Sequence, residues 1–168
     1  MPLLVPTVIF KRVTAITPQY LAQHGIKALI LDIDNTLTGH GSQALPDDVE
    51  KWLCDMQAAG IKMMVASNNF KKRVAPFAER IGLDFTAFSC KPAPFGLMRA
   101  RKMMNVSKND LALVGDQIYT DALGANLYGI RTLLVVPMYE DTKPTIALKR
   151  RLEKPVISRY YKKGGKLL

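Results

Sequence analysis

The sequence lacks the features that mark membrane-spanning, secreted and disulfide-stabilised proteins. It contains no apolar run close to the roughly 20 residues that a membrane-spanning helix needs. Residues 1–10 have no basic residue ahead of their apolar stretch and no small-residue cleavage site, so they make a poor signal peptide. Cys54 and Cys90 are too few for a disulfide framework, and both fall in apolar stretches of sequence. We therefore expect a cytoplasmic protein whose two thiols are reduced and lie in apolar surroundings.

The length and composition predict one globular domain. The chain has 168 residues, of which 48% are hydrophobic and 23% are charged. This length supports one hydrophobic core and hardly two, and the composition is ordinary for a soluble protein. We expect a single domain over 1–168, with an N-terminal segment, 1–26, and a basic C-terminal tail, 143–168.

The formal net charge is +10, and the tail carries most of it. Residues 143–168 contain nine Lys or Arg against one acid, Glu153. A basic tail can contact anionic lipid or nucleic acid, and it can equally be a solvated, frayed terminus. Both interpretations stay open, and the Lys-Lys-Gly-Gly-Lys stretch near the end is predicted to be disordered.

Strand and helix patterns alternate along the chain. Short apolar runs predict five buried strands, at 28–33, 61–66, 85–88, 111–114 and 131–135. Helical patterns lie between them at 47–59, 70–81, 93–104 and 118–127, with further helices predicted at 17–24 and 142–153, the last ended by Pro155. This order predicts an α/β fold in which helices cover both faces of a parallel sheet. Ligands of such folds bind at the carboxyl ends of the strands.

A pair of acids leaves the first predicted strand in the sequence Asp32-Ile33-Asp34. Unpaired buried carboxylates are costly, so packing alone is a poor explanation for this pair. The pair is explained if the two acids share a divalent cation, with one acting as nucleophile and the other as acid and base. The alternative is a loop edge that faces solvent.

The next three strand ends carry complementary polar residues. The second ends in Ser67-Asn68-Asn69, the third is followed by Lys91-Pro92, and the fourth ends in Gly115-Asp116 with Asp121 one turn later. A hydroxyl at a helix start can hold phosphate oxygens, a lysine can neutralise a phosphoryl group, and two acids can complete a magnesium shell. Each signal is weak alone, because Ser and Asn often cap helices and lysines often face solvent. Four strand ends in this order are not explained by chance.

These four segments resemble the motifs of the haloacid dehalogenase (HAD) phosphatases. The resemblance implies a three-layer, Rossmann-like HAD fold with a five-stranded parallel sheet, and a phospho-aspartate mechanism. It implies that Asp32 is the nucleophile and that Asp34 protonates the leaving group and then activates water. Ser67 and Lys91 would bind the phosphoryl group, and Thr36 would shape the loop. Apart from the resemblance, Asn68 and Asn69 can bind the leaving group of the substrate, and Asn69 can equally be a helix cap.

The same resemblance implies an Mg2+ cofactor. Its ligands would be the Asp32 carboxylate, the backbone carbonyl of Asp34 and the carboxylate of Asp116. Asp121 would support either the metal or Lys91.

A closer resemblance extends over nearly the whole chain. The stretches 116–126 and 131–137 resemble HAD subfamily IIIA and, within it, the YqeG-type group, which is similar to mitochondrial phosphatidylglycerophosphate phosphatase. Residues 4–6 and 67–69 fit this group, and residues 150–153 fit it loosely. This implies a phosphatidylglycerophosphate phosphatase of phospholipid biosynthesis that contacts an anionic membrane peripherally, at its inner face.

The intervals between the motifs leave no room for a cap domain. One helix and one strand fill the interval from Asp34 to Ser67, and the same holds from Lys91 to Asp116. We therefore expect an uncapped site, which suits a bulky or interface-bound phosphate monoester.

Several alternatives stay open. The substrate can instead be a soluble sugar or nucleotide phosphate. A non-enzymatic module that binds nucleic acid through the tail is disfavoured, because it has no use for Asp34 or Asp116. His40 can touch substrate or simply face solvent, the basic run 71–73 can attract an anionic substrate or be a solvated face, and the oligomeric state is open.

Overall fold

The computed structural model describes residues 3–140 and 144–168, and these ranges contain six strands and six α-helices. The strands are β1 (Val8–Phe10), β2 (Ala28–Leu31), β3 (Lys62–Ala66), β4 (Phe85–Thr86), β5 (Leu111–Gly115) and β6 (Arg131–Val135). The helices are α1 (Pro18–Gln23), α2 (Asp47–Ala58), α3 (Lys71–Arg80), α4 (Phe95–Met104), α5 (Leu123–Tyr128) and α6 (Pro144–Lys162). A 3-10 turn at Val13–Ala15 and a π-helical turn at Ile118–Ala122 complete the described elements.

All six strands pair in parallel, in the order β1-β6-β5-β2-β3-β4. The five predicted strands are therefore present, but the expected count of five is wrong. The sixth strand is β1, which pairs Val8 with Leu133 and Phe10 with Val135 at the edge of the sheet. A three-residue strand is too short to show a period of its own, so its pairing depends on β6.

Helices cover both faces of the sheet, as predicted. Leu29 and Leu31 of β2 pack on one face with α2 and α3, while Ala28 and Ile30 pack on the other with α4 and α5. This alternation is the two-residue period of a strand that is buried on both sides. The three-layer α/β architecture is confirmed.

Most predicted helices begin and end within two residues of the observed bounds. The Thr17 hydroxyl caps α1 by accepting a hydrogen bond from the Tyr20 amide at 3.1 Å. The single helix predicted at 118–127 is instead the π-helical turn followed by α5. The π-helical turn has one more residue than an α-helical turn, and this places Asp121 beside the end of β5. A pattern of 3.6 residues does not predict such a turn.

The C-terminal predictions are wrong. Pro155 does not end α6, which continues to Lys162, and the Lys-Lys-Gly-Gly-Lys stretch is not disordered. The last residue instead pairs with β1, because the Leu168 amide donates to the Ile9 carbonyl at 3.0 Å and the Lys11 amide donates to the Leu168 carbonyl at 2.7 Å. Burial of Tyr160 and Glu153 against the body supplies contacts that offset the hydrogen bond lost at Pro155. The predicted helix start at 142 lies outside the described residues.

The two cysteines also differ from expectation. Both Cys54 and Cys90 are exposed free thiols rather than thiols in apolar surroundings. Their sequence neighbours are apolar, but adjacent residues of a helix or loop point in different directions. Trp52, close to Cys54, is buried and donates its indole N–H to the Ile16 carbonyl at 2.7 Å.

The carboxyl edge of the sheet is open within the described residues. Only α2 lies between β2 and β3, and only α4 lies between β4 and β5, so no inserted domain covers this edge. None of the helices within 3–140 and 144–168 combines the length and the apolar character needed to span a membrane.

Candidate active site

Three buried acids converge where β2 and β5 end. Asp32 follows β2 and its amide still donates to the Val114 carbonyl of β5 at 2.9 Å. Asp116 follows β5, and Asp121 lies in the π-helical turn beyond it. Each acid offers one carboxylate oxygen to a group in which these oxygens lie within 4.8 Å of one another. Three of the four acids predicted as metal ligands therefore come together.

A buried lysine joins two of these acids. The Lys91 ammonium lies 2.7 Å from Asp32 Oδ1 and 2.7 Å from Asp121 Oδ1, and only 2% of its side chain is exposed. Asn68 holds the lysine's backbone on both sides, because its Oδ1 accepts from the Lys91 amide at 2.7 Å and its Nδ2 donates to the Lys91 carbonyl at 2.8 Å. Asn68, predicted to bind substrate, thus uses its amide to position the lysine loop.

Burial shifts the pKa values of this cluster. It raises the pKa of Asp32 to about 6, despite the opposing attraction of Lys91. It likewise raises the pKa of Asp116 well above the ordinary range of an aspartate. Burial alone would lower the pKa of Lys91, but Asp121 and Asp32 outweigh it and raise that pKa above a lysine's usual value. Lys91 therefore stays charged, while Asp32 and Asp116 keep their protons to a higher pH than an ordinary aspartate does.

The Asp34 side chain points to a different set of partners. Its Oδ1 accepts from the Gly41 amide at 2.7 Å and from the Arg73 guanidinium at 2.9 Å, and its Oδ2 accepts from Asn69 Nδ2 at 2.6 Å. The two acids of the Asp-x-Asp pair thus occupy separate environments. The side chain of Asp34 is not in the three-acid cluster, and the expected role of its backbone carbonyl as a metal ligand stays a prediction.

The remaining predicted residues lie around these acids. Ser67 is buried, and its Oγ accepts from the Asn69 amide at 3.2 Å. Thr36 is buried, with its Oγ1 3.5 Å from Asp116 Oδ1. The loop that carries Thr36 closes through a 2.7 Å bond from the Asn35 amide to the Thr38 carbonyl. His40 is exposed in the loop that follows.

Gly115 makes room for Asp121. A Cβ atom at Gly115 would lie 2.4 Å from Asp121 Cγ, closer than any real contact of that kind. The glycine is therefore required because the side chain of the second acid folds back over the end of β5. The bond from the Gln117 amide to Asp121 Oδ2, 3.1 Å long, holds it there.

Sequence reasoning missed an arginine that completes the cluster. Arg150 of α6 forms a close ion pair with Asp116 Oδ2, and its Nη1 donates to the Asp116 carbonyl at 2.6 Å. The same Nη1 lies 3.1 Å from Glu153 Oε2, while Glu153 Oε1 accepts from the Ile118 amide at 2.7 Å. The sequence held only a weak signal for Arg150. Glu153 is the one acid of the basic segment 143–168, and it lies three residues after this arginine.

The sequence of this chain is similar to that of a known phosphatase. Over 159 residues it is 33% identical to the probable phosphatase YqeG of Bacillus subtilis (strain 168), with 95% of this chain and 92% of that protein covered. The chain belongs to the YqeG family of HAD phosphatases. Residues 2–76 match the family described as mitochondrial PGP phosphatase, and residues 89–138 match the HAD-hydrolase-like family.

More distant proteins extend this YqeG-family assignment. The chain is 26% identical over 171 residues to phosphatidylglycerophosphate phosphatase 1, chloroplastic/mitochondrial, of Arabidopsis thaliana, covering 96% of this chain and 49% of that protein. NagD from E. coli K-12 superposes with a TM-score of 0.56 at 13% identity, covering 71% of this chain and 93% of that chain. The second match shows the HAD fold alone.

The residues of this YqeG-family site fit a hard divalent cation. The three converging acids offer only oxygen donors, as such cations prefer. Burial raises the pKa values of Asp32 and Asp116 although Lys91 and Arg150 lie nearby, so a divalent cation, which attracts ionised carboxylates, would favour the charged forms of both acids. All three acids also have a cationic partner, since Lys91 contacts Asp32 and Asp121 and Arg150 contacts Asp116, so a metal would share these carboxylates with the two side chains.

Proposed function

We propose that this protein is an Mg2+-dependent phosphatase that hydrolyses phosphatidylglycerophosphate through a phospho-aspartate on Asp32, with residues 1–168 acting as one catalytic domain. The observation that carries the chemistry is the buried Asp32 carboxylate, 2.7 Å from Lys91 and beside Asp116, with Asp34 held apart. A nucleophile and a proton donor need such different environments.

In the first step an Asp32 carboxylate oxygen attacks the phosphorus of the monoester. An oxygen–phosphorus bond forms on Asp32 as the bond to the leaving alcohol breaks, and Asp34 gives that alcohol its proton. Lys91 and the Ser67 hydroxyl contact the phosphoryl oxygens and offset their charge. Asp32, Asp116 and the Asp34 carbonyl would hold Mg2+, which would supply electrostatic stabilisation of the phosphoryl group.

In the second step Asp34 takes a proton from water, and the resulting hydroxide attacks the phospho-aspartate. Inorganic phosphate leaves and the Asp32 carboxylate is regenerated. Arg73 and Asn69 hold the Asp34 carboxyl through both steps, at 2.9 and 2.6 Å. These contacts make them positioning residues for the acid and base.

Three observations support a lipid substrate. The family description that matches residues 2–76 and the Arabidopsis relative both name a PGP or phosphatidylglycerophosphate phosphatase. In the part of the chain that the structure describes, no inserted domain lies over the carboxyl edge of the sheet, which suits a headgroup that stays in a bilayer. The net charge of +10 favours an anionic surface, which supports a peripheral enzyme of phospholipid biosynthesis at the inner face of the membrane.

A substrate panel tests the proposal. We would compare kcat/KM for phosphatidylglycerophosphate in vesicles with kcat/KM for soluble sugar and nucleotide phosphates, using the aspartate variant Asp32→Asn as the blank. The lipid should be preferred over every soluble ester. Preference for a soluble ester would remove the lipid assignment and keep the chemistry. Steeply salt-dependent RNA binding without phosphatase activity would remove both.

A further inference from the structure

Three phenylalanines are exposed beside the active site. Phe70 is 67% exposed, Phe88 is 57% exposed and Phe95 is 69% exposed, in a chain that has six phenylalanines. Phe70 follows the polar end of β3, Phe88 follows β4, and Phe95 begins α4 just after Lys91. All three therefore follow elements that end at the carboxyl edge of the sheet. Solvated aromatic rings grouped in this way mark an interaction surface.

The fold holds these rings in place. Phe70 and Phe88 pack edge to face with their centroids 4.7 Å apart, and the Phe88 amide donates to the Asn69 carbonyl at 3.1 Å. Phe88 has a φ of 50°, a left-handed conformation that is unfavourable for a bulky side chain. α4 begins against the same loop, since a Cβ atom on Gly96 would lie 2.4 Å from the Ser89 carbonyl oxygen.

The aromatic residues flank the side on which the leaving group departs. Asn69, the neighbour of Phe70, contacts Asp34 Oδ2 at 2.6 Å, and Asp34 is the proposed proton donor to the leaving alcohol. The rings therefore border the non-phosphoryl part of a bound substrate. Bulky apolar groups at that position suit a leaving group that remains anchored in an apolar phase.

The charge around the rings identifies the partner as anionic. Lys71 and Lys72 are exposed at the start of α3, and neither 67–78 nor 85–109 contains an Asp or Glu. Apolar rings with a basic border match the interface of a bilayer that contains anionic lipid, where rings enter the headgroup region and lysines meet phosphates. An acidic protein partner would match the lysines, but it would leave the three rings without an apolar phase.

We propose that Phe70, Phe88 and Phe95, bordered by Lys71 and Lys72, form a docking face that enters the surface of an anionic phospholipid bilayer. Docking through this face places the leaving-group side of the site against the membrane. The proposal rests on the proposed lipid substrate for its purpose, but docking can be measured without turnover. It also differs from attraction through the basic C-terminal segment, which lies on other elements.

Vesicle binding of the full chain gives the first test. The variant F70S/F88S/F95S should partition onto vesicles of phosphatidylcholine with phosphatidylglycerol at least about tenfold less than the unmodified protein. Its kcat for a soluble phosphate ester with a small alkyl leaving group should stay within about twofold, because the rings border the leaving-group side and supply none of the reacting groups. The matched control is L127S, which alters an exposed apolar residue of α5.

The native cysteines give a second test that leaves the rings intact. Cys90 lies next to the docking face, whereas Cys54 lies on α2, and both are exposed. A bimane label on Cys90 in C54S should be quenched by brominated phospholipids, and a label on Cys54 in C90S should not. Equal quenching at both positions, or at neither, overturns the proposal.

The charge variants separate the face from the tail. K71Q/K72Q should weaken vesicle binding and reduce its salt dependence more than K162Q/K163Q does. Loss of binding in the tail variant alone, or a concentration-dependent dimer that F70S/F88S/F95S abolishes without any vesicle binding, contradicts the proposal. If docking is seen but soluble esters are the better substrates, the docking face stands and the lipid substrate fails.

Discussion

Two cations neutralise opposite ends of the acid cluster, and they are supplied in different ways. Lys91 comes from a loop between β4 and α4, lies almost wholly inside the protein and bridges two acids. Arg150 comes from the C-terminal helix, is 19% exposed in its side chain and binds one acid of the cluster, Asp116. The lysine is thus part of the sheet edge, whereas the arginine is brought to that edge by a separate element.

The difference indicates separate tasks. Lys91 is fixed by Asn68 on both sides of its backbone and cannot leave Asp32 without breaking the loop. Arg150 depends on the placement of α6, and it binds a carboxylate that a metal would also use. We therefore expect loss of the lysine to damage both the fold and the chemistry, and loss of the arginine to alter metal binding.

The largest effect tests the acid that Lys91 contacts. Asp32→Asn should lower kcat for an aryl phosphate by at least about a thousandfold, because the amide cannot form the phospho-enzyme. Asp47→Asn, at an exposed acid of α2, is the control and should change little. Near-normal turnover by a folded D32N protein would falsify the nucleophile assignment.

Removal of Lys91 tests the more deeply buried of the two cations. Lys91→Met leaves Asp32 and Asp121 without their shared cation and should cost about 3–5 kcal/mol of unfolding free energy. Activity should fall as well, since the phosphoryl group loses a positive partner. Denaturant unfolding and aryl phosphate kinetics measure the two effects. Lys27→Met, which breaks an exposed pair with Asp110, is the control and should change little.

The pH dependence of stability tests Asp32, the acid that Lys91 contacts. The pKa of Asp32 is about 6 in the folded protein, against 3.8 for an unperturbed aspartate. The folded state thus binds the Asp32 proton more tightly than the unfolded state does. The stabilisation from protonated Asp32 is therefore present at low pH and is lost as pH rises from about 4 to about 6. Without added metal the loss should be about 3 kcal/mol.

The measurement is the unfolding free energy of the wild type minus that of D32N across pH 4 to 7, in chelator. A difference that stays flat through this window contradicts the raised pKa. Added Mg2+ should stabilise the protein most at the upper end of the window, because metal and proton compete for the same carboxylates.

The smallest effect tests the other cation. Arg150→Gln should lower the unfolding free energy by about 1–2 kcal/mol in chelator, because Asp116 loses its ion pair with a side chain that is 19% exposed and therefore partly screened by water. The stabilisation that Mg2+ adds should become larger than in the wild type, since the metal no longer competes with a guanidinium. Calorimetric melting with and without Mg2+ measures both changes. Arg151→Gln, an exposed neighbour, is the control, and an unchanged Mg2+ response in R150Q contradicts competition.

The two cations also show what the sequence could predict. Lys91, Asp116 and Asp121 follow strand ends, and parallel strands bring their carboxyl ends to one edge whatever the details of packing. The pattern of strands was therefore enough to bring Lys91 and Asp116 to one edge, whereas the position of Asp121 also depends on the π-helical turn. Asn68 was found by the same route, although its contacts give it a positioning role.

Arg150 and Arg73 could not be found in that way. Their partners, Asp116 and Asp34, are 34 and 39 positions away, and both arginines belong to runs of basic residues that read as solvated surface. The edge strand β1 was missed for a related reason. Whether a short segment pairs or frays depends on a partner that local periodicity does not describe.

The contact of the chain's last residues with β1 has a consequence for solubility. An edge strand with unpaired amides and carbonyls is a template on which another chain can add a strand. Here Ile9 bridges to Leu167 and accepts a hydrogen bond from the Leu168 amide, while the Lys11 amide donates to the Leu168 carbonyl. The opposite edge, β4, is only two residues long. Little free backbone is left at either margin of the sheet, so the protein is protected against edge-to-edge aggregation by its own C-terminal residues.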